Sequence, residues 1–350
     1  MLDDLDRQIV AALIRNGRAP WRLIAEVLGQ QERTVARRGN RLLASGVVRV
    51  QSFPSPAAFG NVDLYMLRVA AAPAAITTAG RWLAERPETH WISALSGSSE
   101  CIVELFLERD AVGPFLYGEL AALDGVRDLS LEPVFEYYRT VSGWRPDLLS
   151  VDQYEALSPS ELPHFATGYE EFGVQRLDEP NRALAELLRA NGRITIEELA
   201  AGLGVSKATA SRRLETLIAN GAVFVRAILD PASIGYPVEG LLTVRAEATA
   251  LDAAGRYLAD LSATRWAANV SGRILVQTAT RSLAELRAVM AGIAAHPGVA
   301  GVDVSLFAGI FKRSTVVYPD GKLPHTGDEE SKKGKPALRP RKELHLLDLS

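Results

Sequence analysis

Residues 191–221 read "NGRITIEELAAGLGVSKATASRRLETLIANG", and residues 16–46 read "NGRAPWRLIAEVLGQQERTVARRGNRLLASG". The two stretches align without a gap at an offset of 175 residues. From Leu2–Val50 against Leu177–Val225, 18 of 49 positions are identical. Self-similarity at a fixed offset marks a duplicated unit. The match continues with Gly60 on Gly235, "GRWLAE" (80–85) on "GRYLAD" (255–260), Trp91 on Trp266, and Ser96-Gly97 on Ser271-Gly272. By Gly125-Val126 against Gly298-Val299 the offset is 173, so two residues were lost in between. Each half spans about 140 residues and has two parts.

The first part reads as helical. In the second copy Asp178 is a suitable N-cap for a helix through Arg189, with Pro180 tolerated in the first turn. Asn191-Gly192 ends that helix. Ile196, Leu199, Ala200 and Leu203 place one apolar stripe on a second, short helix. Gly204-Val205 forms a tight turn, Ser206 caps a third helix, and Gly221 stops it. Such a chain of helices is the sequence form of a helix-turn-helix.

The second part switches period. "VEGLLTVRAEA" reads as a strand, "LDAAGRYLADLS" as a helix, and "TRWAANVS" and "RILVQTAT" as strands. "SLAELRAVMAGIAAH" is again helical, and "GVDVSLFAGIF" is a last strand. The order βαββαβ is the ferredoxin-like arrangement. Residues 60–138 repeat it, with strands expected near 62–70, 89–95, 100–108 and 126–137. The expected fold class is α+β: two copies of a three-helix (winged) helix-turn-helix domain, each followed by a ferredoxin-like βαββαβ domain. The boundaries expected are 1–50 and 51–143 for the first pair, 144–175 for a linker with one short helix, and 176–226 and 227–319 for the second pair. Residues 320–350 are polar and rich in Pro and Lys, and read as a disordered tail.

Composition narrows the class. The chain has 350 residues, 47% hydrophobic and 23% charged, with a net charge of −3. Nucleic-acid binding would therefore have to come from local charge. One cysteine, Cys101, excludes a disulfide framework and a multi-cysteine zinc site. No apolar run reaches the roughly 20 residues of a membrane span, and "MLDDLDRQIV" lacks a signal-peptide pattern. A cytoplasmic protein with no membrane partner is expected.

"IEELAAGLGVSKATASRRLETLIANGAV" (196–223) resembles the DNA-binding segment of Lrp/AsnC-type (feast/famine) transcriptional regulators. "IGYPVEGLLTVRA" (234–246) is similar to the entry of their effector domain, the RAM module. The resemblance covers roughly residues 2–138 and 177–315. It implies a regulator whose partner is double-stranded DNA, assembled as an intrachain pseudo-dimer and further as a homo-oligomer, and possessing no cofactor. The departure is the duplication, since the family pattern has one copy per chain.

Candidate DNA-binding residues on the third helices follow. They are Ser206, Lys207, Thr209, Ser211, Arg212 and Arg213 in the second copy, and Arg33, Thr34, Arg37, Arg38 and Arg41 in the first. Residues 206–226 carry a net +3, and the equivalent first-copy stretch +4, a local footprint suited to phosphates. The first helix reads as the weaker reader, because Gln30-Gln31 replaces Val205-Ser206 and Gly39 replaces Leu214.

The resemblance places a small effector, such as an amino acid, near the turn between the second and third strands. Gly97, Ser98, Ser99 and Glu100 stand there in the first copy, and Gly272 and Arg273 in the second. Glu100 suits an ammonium group and Arg273 a carboxylate; ordinary hairpin chemistry without a ligand is the equal alternative. Catalytic and metal-binding residues are not expected. The five histidines are scattered, and no phosphate-binding loop or nucleophile elbow is present. Siroheme decarboxylases pair two such halves, but their Arg-x-x-x-His and Asn-Met-Trp motif is missing; His90 or Arg265 would have to substitute. An assembly protein with a vestigial helix-turn-helix is the third reading.

Overall fold

The computed structural model describes residues 2–55, 62–158, 177–314 and 316–318. The expected tail and the expected linker from residue 159 onward lie outside the described residues. The first copy opens with α1 (Asp4–Arg15), α2 (Trp21–Leu28) and α3 (Glu32–Ala44). Strand β1 (Val48–Pro54) leads to β2 (Val62–Ala71), α4 (Ile76–Ala84), β3 (Thr89–Leu95), β4 (Glu100–Glu108), a π-helical turn (Pro114–Leu120) and β5 (Val126–Arg139). After α5 (Val151–Ala156), the second copy runs α6 (Glu179–Ala190), α7 (Ile196–Leu203), α8 (Lys207–Ala219) and β6 (Val223–Leu229). It continues through β7 (Val238–Ala246), α9 (Leu251–Asp260), β8 (Thr264–Val270), β9 (Arg273–Thr280), α10 (Leu283–Ala294), β10 (Val299–Arg313) and β11 (Val316–Val317).

Helix ends follow their local chemistry. Asp3, Asp178 and Ser206 each accept a backbone N–H from three residues on, and Thr195 with Glu198 forms a full capping box. Gly29 and Gly204 close α2 and α7 in the left-handed region, at φ 63° and 64°. Gln31, as the sequence suggests, makes no side-chain cap.

The two ferredoxin-like sheets join into one. Strands β5 and β10, at 14 and 15 residues, are each long enough to serve both halves. β5 pairs with β2 through Pro133 and then with β8 from Val134. β10 pairs with β7 through Leu306 and then with β3 from Phe307. The order β10-β3-β4-β2-β5-β8-β9-β7 closes back on β10 as an eight-stranded barrel, with β11 added outside. Closure pairs the edge strand of each half's sheet with the other half. The barrel interior holds Met66, Trp91, Ile102, Trp266 and Leu275, drawn from both halves.

Two features bind the halves further. β1 and β6 form an antiparallel ribbon in which Val48 pairs with Leu229 and Gln51 with Arg226. β1 lies against α6 and β6 against α1, so each ribbon strand packs on the other half's helices. The stretch read as linker is packed at its start. Trp144 is buried and donates from Nε1 to the Ser262 carbonyl at 2.9 Å, and α5 begins with a capping box at Ser150 and Gln153. Trp144 and Leu157 pack into the apolar core formed by α1, α2 and α3.

Candidate functional site

The third helices differ in how their cations are held. Ser206 caps α8 and also hydrogen-bonds Thr209 Oγ1 at 2.9 Å. Lys207 is ion-paired with Glu197, and Ser211 donates to Glu215 at 2.7 Å. Arg212 is exposed and Arg213 half-buried, and neither has a salt bridge among the described residues. On α3, Arg33 and Arg37 are exposed and Thr34 is half-buried. Arg38 is pinned to Asp3 at 2.5 Å and Asp6 at 3.0 Å, while Arg41 reaches Asp6 at 2.6 Å. Arg38 donating to Asp3 holds that carboxyl below its ordinary value. The second copy has Asn181 where the first has Asp6, so Arg213 meets no equivalent carboxylate.

Gly39 differs from its sequence reading. A β-carbon there would lie 2.3 Å from the Trp21 ring. The glycine is a seat for Trp21, and no core contact is lost. The other copy fills the same space with Ile196 and Leu214. A large–small pair in one copy replaces two medium residues in the other, which conserves volume.

A reciprocal arginine clasp sets the two helix-turn-helix domains against each other. Arg18 donates to the carbonyls of Gly192 (2.5 Å) and Ile194 (3.2 Å). Arg193 donates to Gly17 (2.6 Å) and Ala19 (3.0 Å), and its guanidinium stacks 4.2 Å over the Trp21 ring. The six residues form three pairs at the 175 offset (17/192, 18/193 and 19/194), so the clasp is two-fold symmetric. Burial lowers both arginines from their ordinary value, Arg193 to about 10, yet they stay charged at neutral pH.

The expected effector turns are both hairpin ends of the barrel. Gly97 and Gly272 have φ of 90° and 85°, with Ser99 and Ser271 also in the left-handed region. Ser96 N–H donates to Leu306 and Ser271 N–H to Pro133, so each turn is tied to the other half's long strand. The two lost residues fall here, since four residues separate Leu95 from Glu100 but two separate Val270 from Arg273. Ser98 sits in the longer turn. Glu100 pairs with Arg68 at 3.1 Å, and Arg273 pairs with Glu132 across the halves. Each of the two charges has a protein partner.

A cavity of about 80 Å³ lies between β6 and the end of the barrel, at His90 and Arg265, the two residues named for the decarboxylase alternative. His90, Glu104, Arg226, Arg265 and Gln277 line it among aromatic side chains. Glu104 accepts from Tyr137 Oη at 2.5 Å and from Trp266 Nε1 at 3.1 Å. Burial raises its carboxyl above the ordinary value, while Tyr137, Arg226 and Trp266 pull it down. Burial, with Arg226 and Lys312 nearby, drives the His90 imidazole down to about 3. Behind the wall, Glu239 receives Arg265 at 2.8 Å and both nitrogens of Arg313.

Family models match both helix-turn-helix regions. Residues 2–43 fit the AsnC-type helix-turn-helix domain, and residues 177–223 fit a winged helix-turn-helix DNA-binding model. The AsnC-type match and the regulator relatives below support the Lrp/AsnC family for this chain. An HTH-type transcriptional regulator of Pyrococcus abyssi is 27% identical over 128 residues, covering 36% of this chain and 81% of that protein. The HTH-type transcriptional regulator FL11 of Pyrococcus furiosus is 26% identical over 106 residues, 30% of this chain and 70% of its own length. Each relative thus aligns with about one of the two copies. Over the whole chain, the siroheme decarboxylase NirDL has a similar fold, with a TM-score of 0.58 at 11% identity, covering 90% of this chain and 94% of that one.

Relative to a single-copy Lrp/AsnC layout, the ribbon, clasp and cavity are contacts between positions more than a hundred residues apart. One sequence signal bore on them: "NGR" stands unchanged at 16–18 and 191–193.

Proposed function

We propose that this Lrp/AsnC chain is a sequence-specific, DNA-binding transcriptional regulator that works as a built-in dimer and performs no catalysis. The observation carrying the reading is the pair of basic third helices joined by the symmetric Arg18–Arg193 clasp and the β1–β6 ribbon. A two-fold reader suits two half-sites, and joining both readers in one chain makes the second contact intramolecular. Arg212 and Arg213, held by no carboxylate among the described residues, read bases on α8 with Ser206, Lys207, Thr209 and Ser211 at its N-terminal end. On α3, Arg33, Thr34 and Arg37 meet phosphates, while Arg38 and Arg41 are held by α1. Regulation by a small molecule, assembly into larger oligomers and residence in the cytoplasm belong to the same reading. A gel shift on the chain's own upstream DNA, repeated across salt concentrations, tests it. Specific, salt-sensitive retention supports it; equal affinity for random DNA overturns it.

A second reading, the chemistry that NirDL's name states, draws on His90 and Arg265 both lining the cavity. Titration with siroheme decides it, since a bound tetrapyrrole gives an intense visible band.

A further inference from the structure

The outward faces of α3 and α8 match position for position. Residues 31–39 and 206–214, related by the 175 offset, run through the same order of exposed, half-buried and buried side chains. A change of residue type between the copies is therefore a change of chemistry at one place on the surface. Thr34 and Thr209, Arg37 and Arg212, and Arg38 and Arg213 are common to both. The differences gather where a recognition helix enters the major groove and meets base edges. Gln31 stands for Ser206, Glu32 for Lys207, Arg33 for Ala208 and, one turn on, Ala36 for Ser211.

One of these differences reverses a charge. Lys207 is ion-paired with Glu197 of the preceding helix, and the two equivalent positions of the first copy hold Glu32 and Arg22. Folding does not call for either polarity. The Lys207 and Glu197 side chains are 65% and 64% exposed, and a pair so exposed contributes little to stability. An acid in the first turn of α3 does suit the helix dipole, but that role is indifferent to any base. Facing DNA, the two side chains select different partners. A carboxylate is repelled by phosphate and accepts hydrogen bonds, so its favoured contact is the N4 amino group of cytosine. A lysine donates, and its favoured base is guanine, through O6 and N7.

We propose that the chain binds a non-palindromic DNA site in one orientation. Glu32 selects cytosine in the half-site under α3, at the place where Lys207 selects guanine in the half-site under α8. A homodimer repeats one reading surface about its axis and so favours a palindrome. Here the clasp and the ribbon hold two unlike surfaces in a two-fold arrangement. A palindrome offers both helices the same base, so either the carboxylate or the ammonium group meets the wrong one. The inference rests on the regulator reading and names the kind of site that reading requires. It gives α3 one base contact beside its phosphate contacts.

Selection from random duplex DNA with the full chain is the test. It is followed by competition between the selected site and its two symmetrised versions, each repeating one half-site. Unlike half-sites should be enriched, and each symmetrised duplex should bind about tenfold more weakly. Glu32→Lys gives α3 the charge of α8 and should exchange cytosine for guanine at that one position. The duplex so changed should then outcompete the original by about tenfold. Lys207→Glu should do the converse in the other half-site, and it serves should the first variant fail to fold. A lowered Tm in Glu32→Lys with cytosine still preferred would assign the residue to the helix dipole alone and overturn the proposal. Enrichment of a palindrome by the unaltered chain overturns it as well, with the regulator reading intact. Failure to enrich any sequence would strike the regulator reading itself, and this inference with it.

Discussion

The ring of Phe311 lies over Gly80, its Cε2 only 2.4 Å from where a β-carbon would stand. The same relation recurs in the other half, where the Tyr138 ring covers Gly255. Both rings come from the far ends of the long strands β10 and β5, after these have crossed into the opposite half. Each glycine thus admits the partner half's strand beneath its helix. On an exposed helix, Gly→Ala stabilises by up to about 1 kcal/mol. Here the sign should reverse. Gly80→Ala and Gly255→Ala should each destabilise by about 1–3 kcal/mol through overpacking, measured by urea unfolding. A stabilised G80A would show that helix propensity outweighs the ring contact.

Asp6 gives a test of which arginines are available to DNA. Asp6→Asn copies Asn181 into the first domain and releases Arg41 fully and Arg38 in part. The expected outcome is tighter DNA binding with a salt slope steeper by about one to two. The reverse change, Asn181→Asp, should engage Arg213 and make the slope shallower by about one. Slopes unchanged in both variants would mean that these side chains do not meet phosphate.

Much of this layout could be read before the fold was known. Asp178, Ser206, Gly204 and Gly221 marked the helix ends because caps and left-handed turns are local chemistry. Alternating apolar residues gave the βαββαβ order for the same reason. The closed barrel and the β1–β6 ribbon were not legible, because their register depends on partners 120 residues or more away, such as Val134 with Val270. A glycine kept inside a helix in both copies, in "GRWLAE" and "GRYLAD", was the overlooked sign of a close approach. At the turns, residue type left a ligand pair and plain hairpin chemistry equally open, and Arg68 and Glu132 stand beside Glu100 and Arg273. Sequence spacing carried no hint of either partner. The cavity's polar residues are scattered from His90 to Arg313, so only the folded barrel collects them.

Trp21 and Gly39 should behave as a coupled pair. Gly39→Leu alone drives a side chain into the indole, and Trp21→Ile alone leaves a void over the glycine. Each single change should cost about 2–4 kcal/mol. The double variant reproduces the pair found at 196 and 214 and should recover about 1–3 kcal/mol as coupling. Some deficit should remain, about 0.5–1 kcal/mol, because Arg193 loses the ring it stacks on. Additive losses in chemical denaturation would show that the two copies do not use equivalent packing here.

His90 links stability to pH in one direction. Burial, with the positive charges of Arg226 and Lys312 nearby, lowers the folded imidazole to about 3 from 6.5. The unfolded chain therefore binds a proton as pH falls through 6.5, while the folded chain does not until about 3. Neutral His90 contributes fully above the unfolded value, and that contribution declines throughout the window below it. Between about pH 7.5 and pH 5 this single group should remove about 2 kcal/mol. His90→Gln cannot titrate, so its stability should fall less over the same range by that amount, as read from paired urea melts. Parallel losses in the two proteins would place the imidazole in contact with water, and the cavity wall at β3 would then be open.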